Sequence, residues 1–152
     1  MIRSILGVIV GYAALSVFFF AVFGCAYFGL GVERIFQSDS YEASSLWLIL
    51  SAAIGLGGGI LGGYVCAAIS QSKRTCELFA AIVLIILVLF CIPKMRDPNP
   101  HVRAGDVAFM DAMRLTQMPL WMHALNPFLG AVGVLLGARM KKAILSLPGV
   151  PR

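Results

Sequence analysis

The sequence predicts an all-α integral membrane fold. Four transmembrane helices form one bundle, with a short amphipathic helix between the third and the fourth. Three observations predict it. Of the 152 residues, 60% are hydrophobic and only 12% are charged, whereas a soluble domain carries about 25% charged and about 45–50% apolar residues. Four long runs, 4–32, 43–72, 78–93 and 115–138, contain no charge at all. The charges that remain divide unevenly between the two sides of the membrane those runs would cross. Such a composition cannot cover a water-soluble globule. It excludes a soluble enzyme domain, a disordered chain and a small secreted disulfide scaffold.

A bilayer core of about 30 Å needs roughly 20 apolar residues of helix. Inside it every backbone N–H and C=O must find a partner within the protein, so the choice is helices or a closed barrel. The apolar runs are continuous rather than alternating, which selects helices. The whole chain, 1–152, reads as a single transmembrane domain. The first span is about 5–31 and is rich in phenylalanine. Arg3 followed by apolar residues resembles a signal sequence, and Val22-Phe23-Gly24-Cys25 a degenerate lipoprotein cleavage box. The run through Tyr27, Phe28 and Leu30 is too long for a signal core, so this segment is read as a retained span. The second span is about 46–69, with Trp47 expected at the interface as an aromatic anchor. The third is about 75–92, closed by Pro93, and only five residues separate it from the second. These two spans therefore form a tight antiparallel hairpin. The fourth is about 119–138, with Pro119 as its first residue, a position that needs no amide hydrogen.

Four spans place both termini on one side. That side collects Arg3, Lys73, Arg74, Arg139, Lys141, Lys142 and Arg152 against the single acid Glu77. The other side has Arg34, Lys94, Arg96, Arg103 and Arg114 against Glu33, Asp39, Glu42, Asp97, Asp106 and Asp111. The first side is therefore expected to be cytoplasmic, in a bacterial inner membrane. The formal net charge of +5 is a topology signal. It is not a nucleic-acid footprint, because no basic cluster is interleaved with groove-filling aromatics. Arg139–Lys142 can touch anionic headgroups, although three charges fall short of the usual polybasic cluster.

Two segments face the opposite side. The first, 32–45, is short, acidic and polar. The second, 94–118, opens with the turn signal Asp97-Pro98-Asn99-Pro100. Asp106 is placed to cap a helix over 107–118. Val107, Met110, Met113 and Met118 are expected on its apolar side, against the membrane surface or across the bundle mouth.

The most specific motif is a row of small residues at a spacing of four: Ser51, Gly55, Gly59, Gly63 and Ala67. Such a glycine zipper lets another helix approach the backbone closely. Gly58 and Gly62 widen it. Gly7 and Gly11 in the first span, and Gly133 and Gly137 in the fourth, are shorter counterparts. Packing within the chain is the leading reading. A second subunit or a pore-lining cleft are the alternatives. The third span has no glycine and is expected to be the lipid-facing member.

No Asp, Glu, Lys or Arg lies well inside a span, which argues against proton- or sodium-coupled transport. His123 and Asn126 share a helix face three residues apart. Pro127 cannot donate to the His123 carbonyl, so an imidazole, an amide and that carbonyl are expected to converge. An interhelical hydrogen-bond site is the leading reading there, with a quinone or another ligand as the alternative. Haem is disfavoured, since the other histidine, His101, lies in a loop. The four cysteines form no CxxC motif. Cys25 and Cys91 share a depth at which a bridge is possible, but free thiols packed as small apolar residues are the leading reading. No metal site, catalytic constellation or cofactor is expected. The function expected is that of a non-catalytic accessory subunit packed in a larger membrane complex, with the lipid bilayer and other subunits, or itself, as partners. The alternatives are an oligomeric passive channel for a small solute, and a quinone- or lipid-binding protein.

Overall fold

A computed structural model describes residues 2–95 and 107–145. Among the described residues there are six helices and no strand: α1 Ile2–Leu30, α2 Val32–Ile35, α3 Ser45–Ser70, α4 Lys73–Met95, α5 Phe109–Leu115 and α6 Leu120–Leu145. Four of them, α1, α3, α4 and α6, are long and apolar enough to cross a membrane. They support a multi-pass membrane protein. The turn at 97–100, His101 and the Asp106 cap lie outside the described residues.

Local chemistry explains where the helices break. Gly31 stops α1 because it sits at φ 75°, a region that costs glycine nothing. Ser44 starts α3, its hydroxyl accepting the Trp47 N–H at 3.2 Å. Gln71 ends α3 in the left-handed conformation, its N–H donating to the Ala67 carbonyl at 3.2 Å. Two helices run further than their apolar patterns. α4 passes through Pro93 to Met95. A proline in the last turn removes one hydrogen bond at a point where the ladder is about to end. α6 continues past Ala138 to Leu145, because Arg139 and Lys141 end an apolar span but suit the negative end of a helix dipole. At its other end α6 begins at Leu120. Pro119 stands just outside, its carbonyl accepting the N–H groups of Met122 at 2.9 Å and His123 at 3.3 Å.

α3 is central and packs against α1, α4 and α6. It runs antiparallel to α1, since Gly7 lies by Ser70 and Phe23 by Trp47. It runs parallel to α6, since Gly133 meets Leu56 and Gly137 meets Ile60. One end, called here the hairpin end, holds the α3–α4 turn, the start of α1 and the finish of α6. Its core is Cys66, Cys76, Phe79, Ala80, Val83 and Val134. The other, the capped end, is covered by α2, the 36–44 turn and α5. Phe23, Tyr27, Ile35, Phe36, Trp47 and Ala112 are buried there.

Three expectations are corrected by this arrangement. Trp47 is not an interfacial anchor: it is 2% exposed, with its ring 5.1 Å from that of Phe23. The 32–45 segment is not merely polar, because it buries Ile35 and Phe36 in the same apolar cluster as Trp47. α4, expected as the lipid-facing member, is not the span left most open within the chain. Of its most apolar stretch 28% is buried, against 11% for α1. Large side chains such as Phe79 and Val83 fill space between helices as well as glycine closes it. Of the four glycines of α1, only Gly7 and Gly11 meet α3, and they lie in its first half.

Candidate functional site

Three places in the fold hold the residues from which a function must be built. The first is the glycine row of α3. Gly59 and Gly63 face α6. A Cβ on Gly59 would strike the Gly130 carbonyl oxygen and lie 3.1 Å from the Gly133 Cα. One on Gly63 would strike the Val134 carbonyl. From the other side, a Cβ on Gly133 would lie 2.5 Å from the Leu56 oxygen, and one on Gly137 would strike the Ile60 oxygen. This is backbone on backbone. A second row, one residue earlier, faces α1. A Cβ on Gly62 would lie 2.9 Å from the Gly11 oxygen. One on Gly11 would lie 2.9 Å from the Gly62 oxygen, and one on Gly7 would lie 3.0 Å from the Ser70 Cβ.

The five-residue row does not act as one surface. Gly55 has nothing within 4 Å of the position its Cβ would take. Ser51 is buried at the capped end, its hydroxyl donating to the Leu48 carbonyl at 2.9 Å. Ala67 belongs to the hairpin-end core. The cause is helix geometry. With 3.6 residues per turn, a spacing of four advances about 40° per step, so Ser51 to Ala67 sweeps nearly half the circumference. α6 covers only the middle of that sweep.

The second place is the start of α6. His123 is buried, Pro127 fully so, and Asn126 is half-buried. The Asn126 amide nitrogen points to the Met118 sulfur at 4.0 Å, at the weak limit of a hydrogen bond. Its Oδ1 is buried with no hydrogen-bond partner. An orphaned acceptor calls for a donor such as a water or hydroxyl. A quinone carbonyl, itself an acceptor, does not meet that need.

Beside it the capped end is laced together. The Tyr27 hydroxyl donates to the Val107 carbonyl, and the Tyr27 ring lies 5.3 Å from Phe109. The Ala43 N–H donates to the Gln117 carbonyl, and the Gln117 N–H to the Tyr41 carbonyl, each at 2.9 Å. α5 is shorter than the helix expected over 107–118. Phe109 and Met113 pack inward beside buried Ala112, while Met110 is 67% exposed and lies off that side.

The third place was not read from the sequence as a site. At the hairpin end, a groove of about 990 Å³ opens between the α3–α4 turn and the last turns of α6. Its polar rim is Gln71, Ser72, Lys73, Glu77, Arg139 and Lys141. The signal available was the run Arg139–Lys142 together with Lys73 and Arg74, but only the fold brings the two groups together. All four cysteines are free thiols, with Cys66 and Cys76 buried and Cys25 exposed. Among the described residues no group of three His, Cys, Asp or Glu is placed to hold a metal ion. No protein-family model matches the chain, nor does any curated protein or solved structure.

Proposed function

We propose that the chain is a non-catalytic structural subunit packed by α1 against other subunits of a membrane complex, in a bacterial inner membrane with both termini cytoplasmic. The observation that carries this reading is the free face of α1. On its outer half Ala21, Cys25 and Gly29 are exposed, and Gly24 has nothing within 4 Å of its Cβ position. They alternate with exposed Val17, Phe20 and Phe28. A helix that met only lipid would have no use for small residues there. α4, by comparison, exposes Leu78, Ile82, Ile85, Leu89 and Phe90. Small residues among large ones let a second backbone approach.

The orientation is supported by the basic groups Lys73, Arg74, Arg139 and Lys141 gathering at the hairpin end, where α1 also begins. A pore made by self-association of the glycine-rich helix has less support, since Gly58 and Gly62 are covered by α1 and Gly59 and Gly63 by α6.

Purification of the tagged full chain in mild detergent, followed by mass spectrometry, tests the proposal. A stoichiometric membrane partner is expected. It is expected to be lost in Gly24→Leu while the variant still folds, because nothing occupies that position. A homo-oligomer or a lone chain overturns the reading, and so does a partner indifferent to Gly24→Leu.

A further inference from the structure

We infer that the hairpin-end groove binds the headgroup of an anionic phospholipid. The groove has the two-part lining such a molecule needs. Its rim carries Lys73, Arg139 and Lys141. Its walls include Leu135 and Ala138 of α6, which continue onto the apolar surface of the span. A phosphodiester at the rim would leave its glycerol and first methylenes against those walls.

The charge arrangement selects an anion. Glu77 is the acid of the groove, and it is held by Lys73 one helical turn away at 3.4 Å. Among the described residues Arg139 and Lys141 have no acid paired with them. The Lys141 ammonium already reaches across to the Ala68 carbonyl at 3.4 Å, which anchors its side chain over the groove. Basic pockets between transmembrane helices on the cytoplasmic side are where acidic headgroups bind. The volume of about 990 Å³ is at the upper end of the roughly 300–1,000 Å³ of small-molecule sites. A soluble phosphate would use the rim and leave the apolar walls empty, so the lipid is the occupant the lining fits. The inference is independent of the α1 face, since it concerns the opposite end of the molecule and other helices.

Native mass spectrometry of the full chain, released from micelles with equal phosphatidylglycerol and phosphatidylcholine, tests it. Preferential retention of phosphatidylglycerol is expected. Each cation near a membrane surface contributes about fivefold to anionic-lipid binding, so Arg139→Gln with Lys141→Gln should lower retention roughly 25-fold. Arg139→Gln alone changes only an exposed side chain and should lower it about fivefold. Arg34→Gln, at the capped end, should leave it unchanged. Adding glycerol phosphate at matched concentration should not compete. Equal retention of the two lipids, no loss in the Arg139 variant, or full competition by glycerol phosphate each overturns the inference.

Discussion

Gly63 and Gly55 stand two turns apart in the same row of small residues, yet a methyl group has opposite consequences at the two. At Gly63 it would strike the Val134 backbone, which cannot swing aside as a flexible side chain can. Gly63→Ala is therefore expected to lower stability by at least the roughly 1–3 kcal/mol typical of an overpacked core. Gly55→Ala meets open space and is expected to be neutral, or to gain up to about 1 kcal/mol in helix propensity. Unfolding midpoints in one detergent compare the two directly. Equal losses would mean that the row is a single contact surface after all. The sequence displayed the row, and it displayed the glycines of α6 that meet it. It did not display where along the drifting row α6 crosses, because that depends on the path of a helix some seventy residues later. The pair His123 and Asn126 was legible in the same partial way. Their shared face follows from spacing, whereas the orphaned Asn126 Oδ1 depends on what the fold brings beside it. Replacing a buried, unpaired acceptor by an apolar group of similar size costs little. Asn126→Leu is thus expected to unfold no earlier than the parent. A loss of about 1–3 kcal/mol would instead reveal a donor bound there.

At the scale of the elements, the spans were readable because bilayer-length apolar runs leave little choice of structure. The capped end was not. The 32–45 segment looks polar, and its few apolar residues are spaced too irregularly for a periodic signal. Ile35 and Phe36 are nonetheless fully covered, because they join the apolar cluster that holds Trp47 and Phe23. What ties this end together is backbone pairing between the 41–43 stretch and Gln117, along with the Tyr27 hydroxyl on Val107. Neither contact has a sequence signature. Tyr27→Phe removes one hydrogen bond, worth about 1 kcal/mol, and keeps the ring. Hydrogen exchange should then quicken across α5 and the Gln117 stretch while α3 and α6 keep their protection. Exchange that quickens along α3 as well would show that the cap and the spans unfold as one unit.

For the molecule as a whole, two ends of opposite character follow from where the charges fall. The hairpin end gathers cations around a groove. The capped end carries Glu33, Asp39, Glu42 and Asp111 against Arg34 and Arg114 among its described residues. The proposed orientation predicts the labelling of cysteines introduced at exposed Ser38 and half-buried Ser72. Ser38→Cys should react with a membrane-impermeant thiol reagent in intact cells, above the labelling of the parent chain. Ser72→Cys should react only once the membrane is opened. The reverse pattern would invert the topology. Between the ends, the glycine rows hold α1, α3 and α6 at backbone distance, while one face of the outer half of α1 stays uncovered within the chain.

That free face is the centre of the functional proposal, and photo-crosslinking in native membranes probes it without removing the chain from its neighbours. A photoreactive phenylalanine analogue would replace Phe28 of α1 and, as a control, Phe90 of α4, both exposed and both already aromatic. The account predicts a discrete crosslink to a different protein from position 28, abolished by Gly24→Leu, and none from position 90. Crosslinks from position 28 to lipid alone, or to a second copy of the chain, would contradict it.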